Sequence, residues 1–402
     1  MDELVIADDV GLEACCAHLA TSAQVGLDTE FVGEDTYHPK LCLIQVATPG
    51  TLYLIDPFAF AADELRPVWE LLADPGRLVV LHAGREEIRL CHRSVGRPLG
   101  HPFDLQIAAG LVGMIYPIGY GILANELLGQ RLAKGETLTE WRTRPLTQAQ
   151  VHYAFDDVRY LLPMWGKLNQ RLKELGRLDW AHEDFERMRL QSTPGEPSLP
   201  STSDKWRKLR GASSLDRRRL AILREMYIWR EEEATRANRP PRTIVRDDLL
   251  VEVARRHLKG ESDLHVVRGL ARRYAAALWE AMERARALAL DELPVLTERE
   301  QDPVQVGLVA NLLTAALVDF CHRHRIAPSL AASGQDVKLL VRARLLGLPA
   351  PAASVLTRGW RAQHVLPHLQ AILDGRRSVA VADVRSDSPF AYKDETTEGL
   401  QP

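Results

Sequence analysis

Asp28-Thr29-Glu30 closes a run, Val25 to Phe31, with the composition of a β-strand. Side chains alternate faces along a strand, so Asp28 and Glu30 point the same way. Two carboxylates side by side repel, and such a pair is held by a cation or a shared proton. Taken alone, the pair also fits an ordinary solvated strand face. Further along stands Tyr153-Ala154-Phe155-Asp156-Asp157. Thr147 and Gln150 just before it form a capping box, and Val151, Ala154, Val158, Leu161 and Leu162 follow a helical period, which predicts one helix over 148–172. Tyr153 and Asp157 are then one turn apart on one face. A phenol beside a carboxylate suits metal-assisted hydrolysis, with the acid holding the ion and the phenol positioning the attacking water. A half-buried tyrosine on a capped surface helix explains the same spacing.

Between these blocks, the apolar run Leu78 to Leu81 meets the turn His82-Ala83-Gly84 and a helix-compatible stretch carrying Glu86 and Glu87. Acids just past the C-terminal end of such a strand lie where ligands bind in open α/β sheets. Either glutamate also fits a solvated helix position.

The blocks DTEF at 28–31, TYHPKLCLIQVA at 36–47, HAGREE at 82–87, FDLQIAAGLVG at 103–113, Trp141 with RPL at 144–146, and YAFDDVRYLLP at 153–163 follow one another in this order. Together they resemble the ribonuclease D family, in the tyrosine-containing branch of the DEDD exonucleases. The resemblance covers roughly residues 1–190 and continues into the C-terminal half. It implies an RNase H-like α/β exonuclease domain, a mixed sheet with flanking helices. It also implies two divalent metal ions, Mg²⁺ or Mn²⁺, and 3′-to-5′ hydrolysis of RNA. Carried over position by position, the metal carboxylates are Asp28, Glu30, Glu87 and Asp157. Tyr153 holds the nucleophilic water, and Phe31 packs against the terminal nucleotide.

Two departures from the family pattern stand out. The family usually has Asp where this chain has Glu87, and the extra methylene carries the carboxylate about 1.5 Å further. A displacement of about 1 Å can cost roughly a hundredfold in rate, although Glu supplies the same oxygen donors as Asp. The competing assignment gives the missing oxygen to Glu86 or Asp104. The second departure is Gly33-Glu34-Asp35, where the family often has basic residues.

The chain has 402 residues, 46% of them apolar and 26% charged, which fits a globular protein of two or three domains. No uninterrupted apolar run reaches the length of a membrane span, and the acidic start Met1-Asp2-Glu3-Leu4 lacks the layout of a signal peptide. A cytoplasmic protein with no membrane partner is expected. The five cysteines form no CxxC pair. Cys321-His322-Arg323-His324 is not a metal cluster on a helix, because His322 and His324 do not face each other.

The net charge of −3 conceals an asymmetry. Residues 204–290 hold 21 Lys and Arg against 13 Asp and Glu. A basic helical module beside an acidic catalytic one suits a metal nuclease with an appended nucleic-acid module. Solvated charged helices explain the surplus as well.

Strands are expected near 25–31, 40–47, 51–56 and 78–83, the middle two as an antiparallel hairpin across Thr48-Pro49-Gly50. Helices are expected near 10–20, 62–73, 84–93 and 104–112 as well as 148–172. The domain limits that follow are 1–191 for the exonuclease domain, 192–203 for a Ser- and Pro-rich linker, 204–290 and 291–380 for two helical modules, and 381–402 for a disordered tail. Trp229-Arg230, Asn238-Arg239-Pro240, Asp247 and Arg268-Gly269-Leu270 resemble an HRDC domain. Ile326-Ala327-Pro328, Asp336-Val337 and Gly359-Trp360-Arg361 resemble a second, divergent one. Beyond the linker the expectation is all-α.

Lys134, Arg142 and Arg144, together with Arg217-Arg218-Arg219, are candidate phosphate contacts; ion-paired faces are the alternative. Trp206, Trp229 and Trp279 sit at helical spacing among leucines and are expected in the core. The expected function is 3′-to-5′ trimming of RNA precursors, tRNA above all, to nucleoside 5′-monophosphates by a monomer. The alternatives are a 3′-to-5′ DNA exonuclease and a catalytically impaired RNA-binding homologue.

Overall fold

The computed structural model describes residues 1–132, 140–193, 204–296 and 302–394. The first part of the chain builds a six-stranded mixed sheet wrapped by helices. Its elements are β1 (Asp2–Ile6), α1 (Asp9–Thr21), β2 (Gln24–Val32), β3 (Lys40–Ala47), β4 (Thr51–Ile55), α2 (Arg66–Leu72), β5 (Leu78–Leu81), α3 (Arg85–Val95), β6 (His101–Asp104), α4 (Leu105–Leu111), α5 (Tyr120–Leu128), α6 (Gln148–Arg159), α7 (Leu161–Glu174) and α8 (Leu178–Ser192). The strand order is β1-β4-β3-β2-β5-β6. β3 and β4 form the expected antiparallel hairpin, and β2, β5 and β6 run parallel. β1, β6, α5 and α8 were not expected from the sequence. β1 is mostly exposed, so it lacks the apolar alternation that marks a strand, and β6 has only four residues, one of them Pro102.

The central strands are covered on both faces. Every residue of β3 from Cys42 to Ala47 is buried, which gives a run that is apolar except for Gln45 rather than an alternating one. Gly26 lets β2 approach the second layer closely. A Cβ there would stand 3.0 Å from Leu161 of α7. The single helix expected over 148–172 is two helices. Pro163 lacks an N–H, and its ring clashes with the carbonyl four residues back. That carbonyl belongs to Arg159, the last residue of α6. The Tyr160 N–H freed at the break bonds to the Tyr120 hydroxyl at 3.4 Å.

Residues 204–296 form α9 (Arg217–Arg236), α10 (Pro241–Ile244), α11 (Asp247–Arg255) and α12 (Ala275–Ala287), joined by short 3₁₀ turns. Trp206 is in their core, and Trp229 and Trp279 pack against it, as their helical spacing suggests. Phe31–Cys42 belongs to the same compact unit. Within it Tyr37 packs on this core, and the His38 N–H donates to Asn238 Oδ1 at 3.1 Å.

The rest is α13 (Val304–Arg323), α14 (Pro328–Ala331), α15 (Gly334–Leu345), α16 (Leu366–Leu373), β7 (Arg377–Val381) and β8 (Phe390–Asp394). β7 and β8 pair as an antiparallel hairpin. This corrects two expectations: the region is not all-α, and the tail is ordered in its first part. Tyr392 donates to Asp319 at 2.9 Å, so the hairpin is tied to α13 by polar contacts that leave little hydrophobic signature. Residues 395–402 of the expected tail, and 194–203 of the expected linker, lie outside the described residues. Over Val304–His324 the mean hydropathy reaches 1.7, long and apolar enough to cross a membrane. Polar residues interrupt that stretch, so no unbroken apolar run marks it. Its Val306, Ala310, Leu313 and Leu317 pack into the module's core.

This last module shares one compact unit with the sheet domain, and α8 is the junction. Asp184 of α8, 1% exposed, takes a bidentate pair from Arg361 at 2.9 and 3.0 Å. Arg361 spends further donors on the Leu330 and Ala331 carbonyls. Trp180 stacks on Trp360 with ring centroids 4.7 Å apart, and Arg177 donates to the carbonyls of Leu111 and Arg325. Gly359 has φ +49, and a Cβ there would run into the Glu183 carboxylate. Breaking a buried ion pair from one side strands the other charge, at a cost of roughly 3–5 kcal/mol. Asp184→Ala is therefore expected to lose about that much stability in denaturant titration. A loss no larger than that of an exposed pair such as Arg66–Glu70 would contradict this account of the junction.

Candidate active site

The register of the sheet places the first two acids. Gly26 pairs with Val80 and β5 ends at Leu81, so Asp28 projects past the end of the parallel neighbour. There the chain turns through His82-Ala83-Gly84 into α3. The left-handed Ala83, φ +60, aims the first turn of α3, which carries Glu86 and Glu87. Asp104 ends β6 and fixes this corner. It is 1% exposed, accepts from the Gln106 and Ile107 N–H groups as the cap of α4, and takes the Gly84 N–H at 3.0 Å.

The two glutamates separate cleanly. Glu86 pairs with Arg89 at 3.1 Å and Arg93 at 2.9 Å on the outer face of α3. Glu87 is 5% exposed, and its Oε1 accepts from the Thr29 hydroxyl at 2.7 Å. Glu86 is thus held by surface arginines, and Asp104 is occupied by three backbone amides.

α6 brings the other two groups. Thr147 and Gln150 make the capping box foreseen in the sequence. Tyr153 lies within hydrogen-bonding reach of Asp157, and its ring packs 6.0 Å from that of buried Trp141. Tyr120 is a group the sequence did not reveal. Its hydroxyl donates to the Asp156 carbonyl at 2.8 Å, one residue before Asp157, and accepts the Tyr160 N–H. A tyrosine opening an apolar helix carries no local mark of such a role. His82 is also part of the surround, bonded through Nε2 to the Ile118 carbonyl at 2.9 Å and packed edge-on against Tyr120.

Asp28, Glu30, Glu87 and Asp157 share one electrostatic field. Burial, then the charges of Asp157, Glu87 and Glu30, push Asp28 well up from the usual carboxylate range. Burial and the Asp157 and Glu87 charges raise Glu30 to about 8. Burial raises Glu87 to about 7 against the Thr29 hydrogen bond, and raises Asp157 to about 7 against the bond from Tyr153. Tyr153 itself is pushed upward by burial and by these acids. Free carboxylates titrate near 4, so without cations the fold binds protons that the unfolded chain releases. Stability present below about pH 4 is then lost as pH rises toward about 8.

Hard divalent cations relieve such a field and bind carboxylate oxygens, so the donor set fits them. Among the described residues no three His, Cys, Asp or Glu side chains already converge on one point.

The expected phosphate contacts fare differently. Arg144 is clamped on Asp56 at 2.7 Å and lies over the Phe58 ring, so it holds the β4 corner. Arg142 pairs with Glu140. Arg217 donates to the Leu290 and Leu293 carbonyls, Arg218 to that of Leu288, and Arg219 pairs with Asp216. These arginines staple their own module, a use that a basic run in sequence does not reveal. Lys134 lies outside the described residues. Phe31 is 39% exposed.

The 3′-5′ exonuclease family profile matches residues 4–173, and the HRDC domain profile matches 219–282. The chain is 33% identical to ribonuclease D of Gluconacetobacter diazotrophicus over 96% of both chains. It is 34% identical to that of Granulibacter bethesdensis over 87% of each. The crystal structure of Escherichia coli RNase D, described as an exoribonuclease involved in structured RNA processing, superposes with a TM-score of 0.80 at 29% identity. That match covers 93% of this chain and 99% of the other.

Neutralising the three candidate acids one at a time separates their roles. Glu87→Gln is expected to lose at least about a hundredfold in kcat and Glu87→Asp less, since shortening misplaces the oxygen by about 1.5 Å. Glu86→Gln should be nearly silent, and Asp104→Asn should lower the melting temperature. A silent Glu87→Gln would remove that residue from the site.

Proposed function

The chain belongs to the ribonuclease D family, and on that premise we propose that it trims structured RNA precursors, tRNA precursors foremost, using two divalent ions. The 3′-to-5′ exoribonuclease activity and its dependence on a divalent metal come with the family. The finer reading rests on one observation: four carboxylates crowd a half-buried site where burial, with neighbouring acids, raises all of them toward the protonated form, so that charging them together calls for cations. A module that only bound RNA would gain nothing from such negative charge beside a phosphate backbone.

Asp28, Glu30, Glu87 and Asp157 would hold the ions, and Thr29 keeps Glu87 turned inward despite its extra methylene. When bound, divalent ions lower the pKa of the attacking water and stabilise charge developing on the phosphate. Tyr153 stays a neutral phenol at physiological pH, because its own pKa is pushed upward. It therefore orients the water by hydrogen bonding and does not remove its proton. Water adds to the terminal phosphorus, the bond to the 3′ oxygen of the preceding nucleotide breaks, and a nucleoside 5′-monophosphate leaves. Trp141 and Tyr120 act as positioning residues, holding the Tyr153 ring and the end of α6.

The division into a catalytic part at 1–191 and helical modules at 204–290 and 291–380 belongs to the same proposal, with the β7–β8 hairpin added to the last. So do cytoplasmic location and action as a monomer. The HRDC surplus of positive charge supports phosphate contacts by that module, through groups other than the arginines that staple it.

Incubation with 5′-labelled and 3′-labelled RNA is the direct test. Stepwise shortening from the 3′ end, release of labelled mononucleotide from that end, and complete inhibition by EDTA are expected. Cleavage of a circular RNA, cleavage surviving EDTA, or faster hydrolysis of single-stranded DNA than of RNA would contradict the reading.

A further inference from the structure

The last module contains a cavity of about 500 Å³ that shares no residue with the acid cluster. Its walls are aromatic. Phe320 lies 5.1 Å from the His368 ring, and His368 meets Tyr392 edge-on at 4.8 Å. Arg323, Arg376 and Arg377 also line it, while the acids that pair with them, Asp319, Asp374 and Asp394, are not among its lining residues.

His368 is the buried ring of this wall. It is 8% exposed, and its Nδ1 lies 3.0 Å from Arg377 Nη1. A guanidinium only donates, so Nδ1 accepts and the ring proton sits on Nε2. That Nε2–H is buried on a ring lining the cavity and has no partner among the described residues. Burial and then the Arg377 charge lower this imidazole to about 4, which keeps it in the neutral, Nε2-protonated form. The three arginines lining the cavity call for an anion and oppose a metal cation. Flat rings on the walls call for a planar heterocycle.

We propose that this cavity binds one nucleotide unit, its base against Phe320, His368 and Tyr392 and its phosphate on Arg323, Arg376 and Arg377. The proposal rests on the exoribonuclease reading, which supplies both sources of such a unit: a nucleotide within the RNA chain and the released mononucleotide. The cavity lies against the junction with the sheet domain, where Trp180 packs at a tilt on the lining residue His364, with ring centroids 4.8 Å apart. A nucleotide held there is anchored to the catalytic part of the same compact unit.

The test uses the full-length protein in EDTA, where no turnover occurs. Adenosine 5′-monophosphate, inorganic phosphate and a single-stranded RNA oligonucleotide are titrated calorimetrically against wild type, Arg376→Glu and His368→Leu. Arg376 is exposed, so its variant should keep the wild-type melting temperature and remain informative if His368→Leu fails to fold. Losing one charged contact is expected to weaken binding about tenfold. A loss for the mononucleotide alone identifies free product as the ligand, a loss for RNA alone identifies the chain, and a loss for both admits either. Wild type binding none of the probes, unchanged affinities in Arg376→Glu, or inorganic phosphate binding as tightly as the mononucleotide would overturn the assignment. Absence of RNA hydrolysis by wild type with Mg²⁺ or Mn²⁺ would instead overturn the exoribonuclease reading, leaving the binding result to stand.

Discussion

Four carboxylates held together away from bulk water impose the main constraint on this protein. Each loses hydration, which raises Glu87 and Asp157 to about 7; the charges of Asp157 and Glu87 add to burial in raising Glu30 to about 8 and Asp28 well above its ordinary range. A chain free to relax would move them apart. What prevents this is the surrounding architecture: a strand that overshoots its neighbour, a corner fixed by Asp104, and a helix pinned through Tyr120.

These supports are themselves packing solutions. Gly26 gives α7 room to lie against β2. Pro163 ends α6 after Arg159, close behind the turn that carries Tyr153 and Asp157, and the Tyr120 hydroxyl accepts the Tyr160 N–H at the break. Thr29 sits between the two acids of β2 yet is buried, and its hydroxyl restrains Glu87. That contact accommodates the residue by which this chain departs from its family: the longer side chain is bonded and directed rather than loose. On the far side, α8 locks the sheet domain to the last module through Asp184, Trp180 and Arg177, so the catalytic scaffold does not end with the exonuclease fold.

Much of this was legible in the sequence, and what was not has physical reasons. The alternation in Asp28-Thr29-Glu30 and the spacing of Tyr153 and Asp157 gave the acid face and the phenol, because both are local periodicities. The Pro163 break was written in the sequence too, but a strong apolar period across 148–172 concealed it. Tyr120 and Thr29 act through contacts distant in sequence, and nothing near them signals their partners. The partners of the arginines at 144, 217 and 218 were not legible, because composition reports charge but not what neutralises or bonds to it. The β7–β8 hairpin was missed since its strands are largely exposed and held by ion pairs such as Arg377–Asp394.

If the acid cluster is protonated in the absence of cations, filling the site must expel those protons. Calorimetric titration of the full-length protein with Mg²⁺ or Mn²⁺ at pH 7, in buffers of different ionisation enthalpy, counts them directly. The account predicts release of about one to two protons as the ions bind, falling away above about pH 9 and in Glu30→Gln. Ion binding at pH 7 with no proton released would contradict it, since the carboxylates would then already be charged and neither burial nor their neighbours would have raised them.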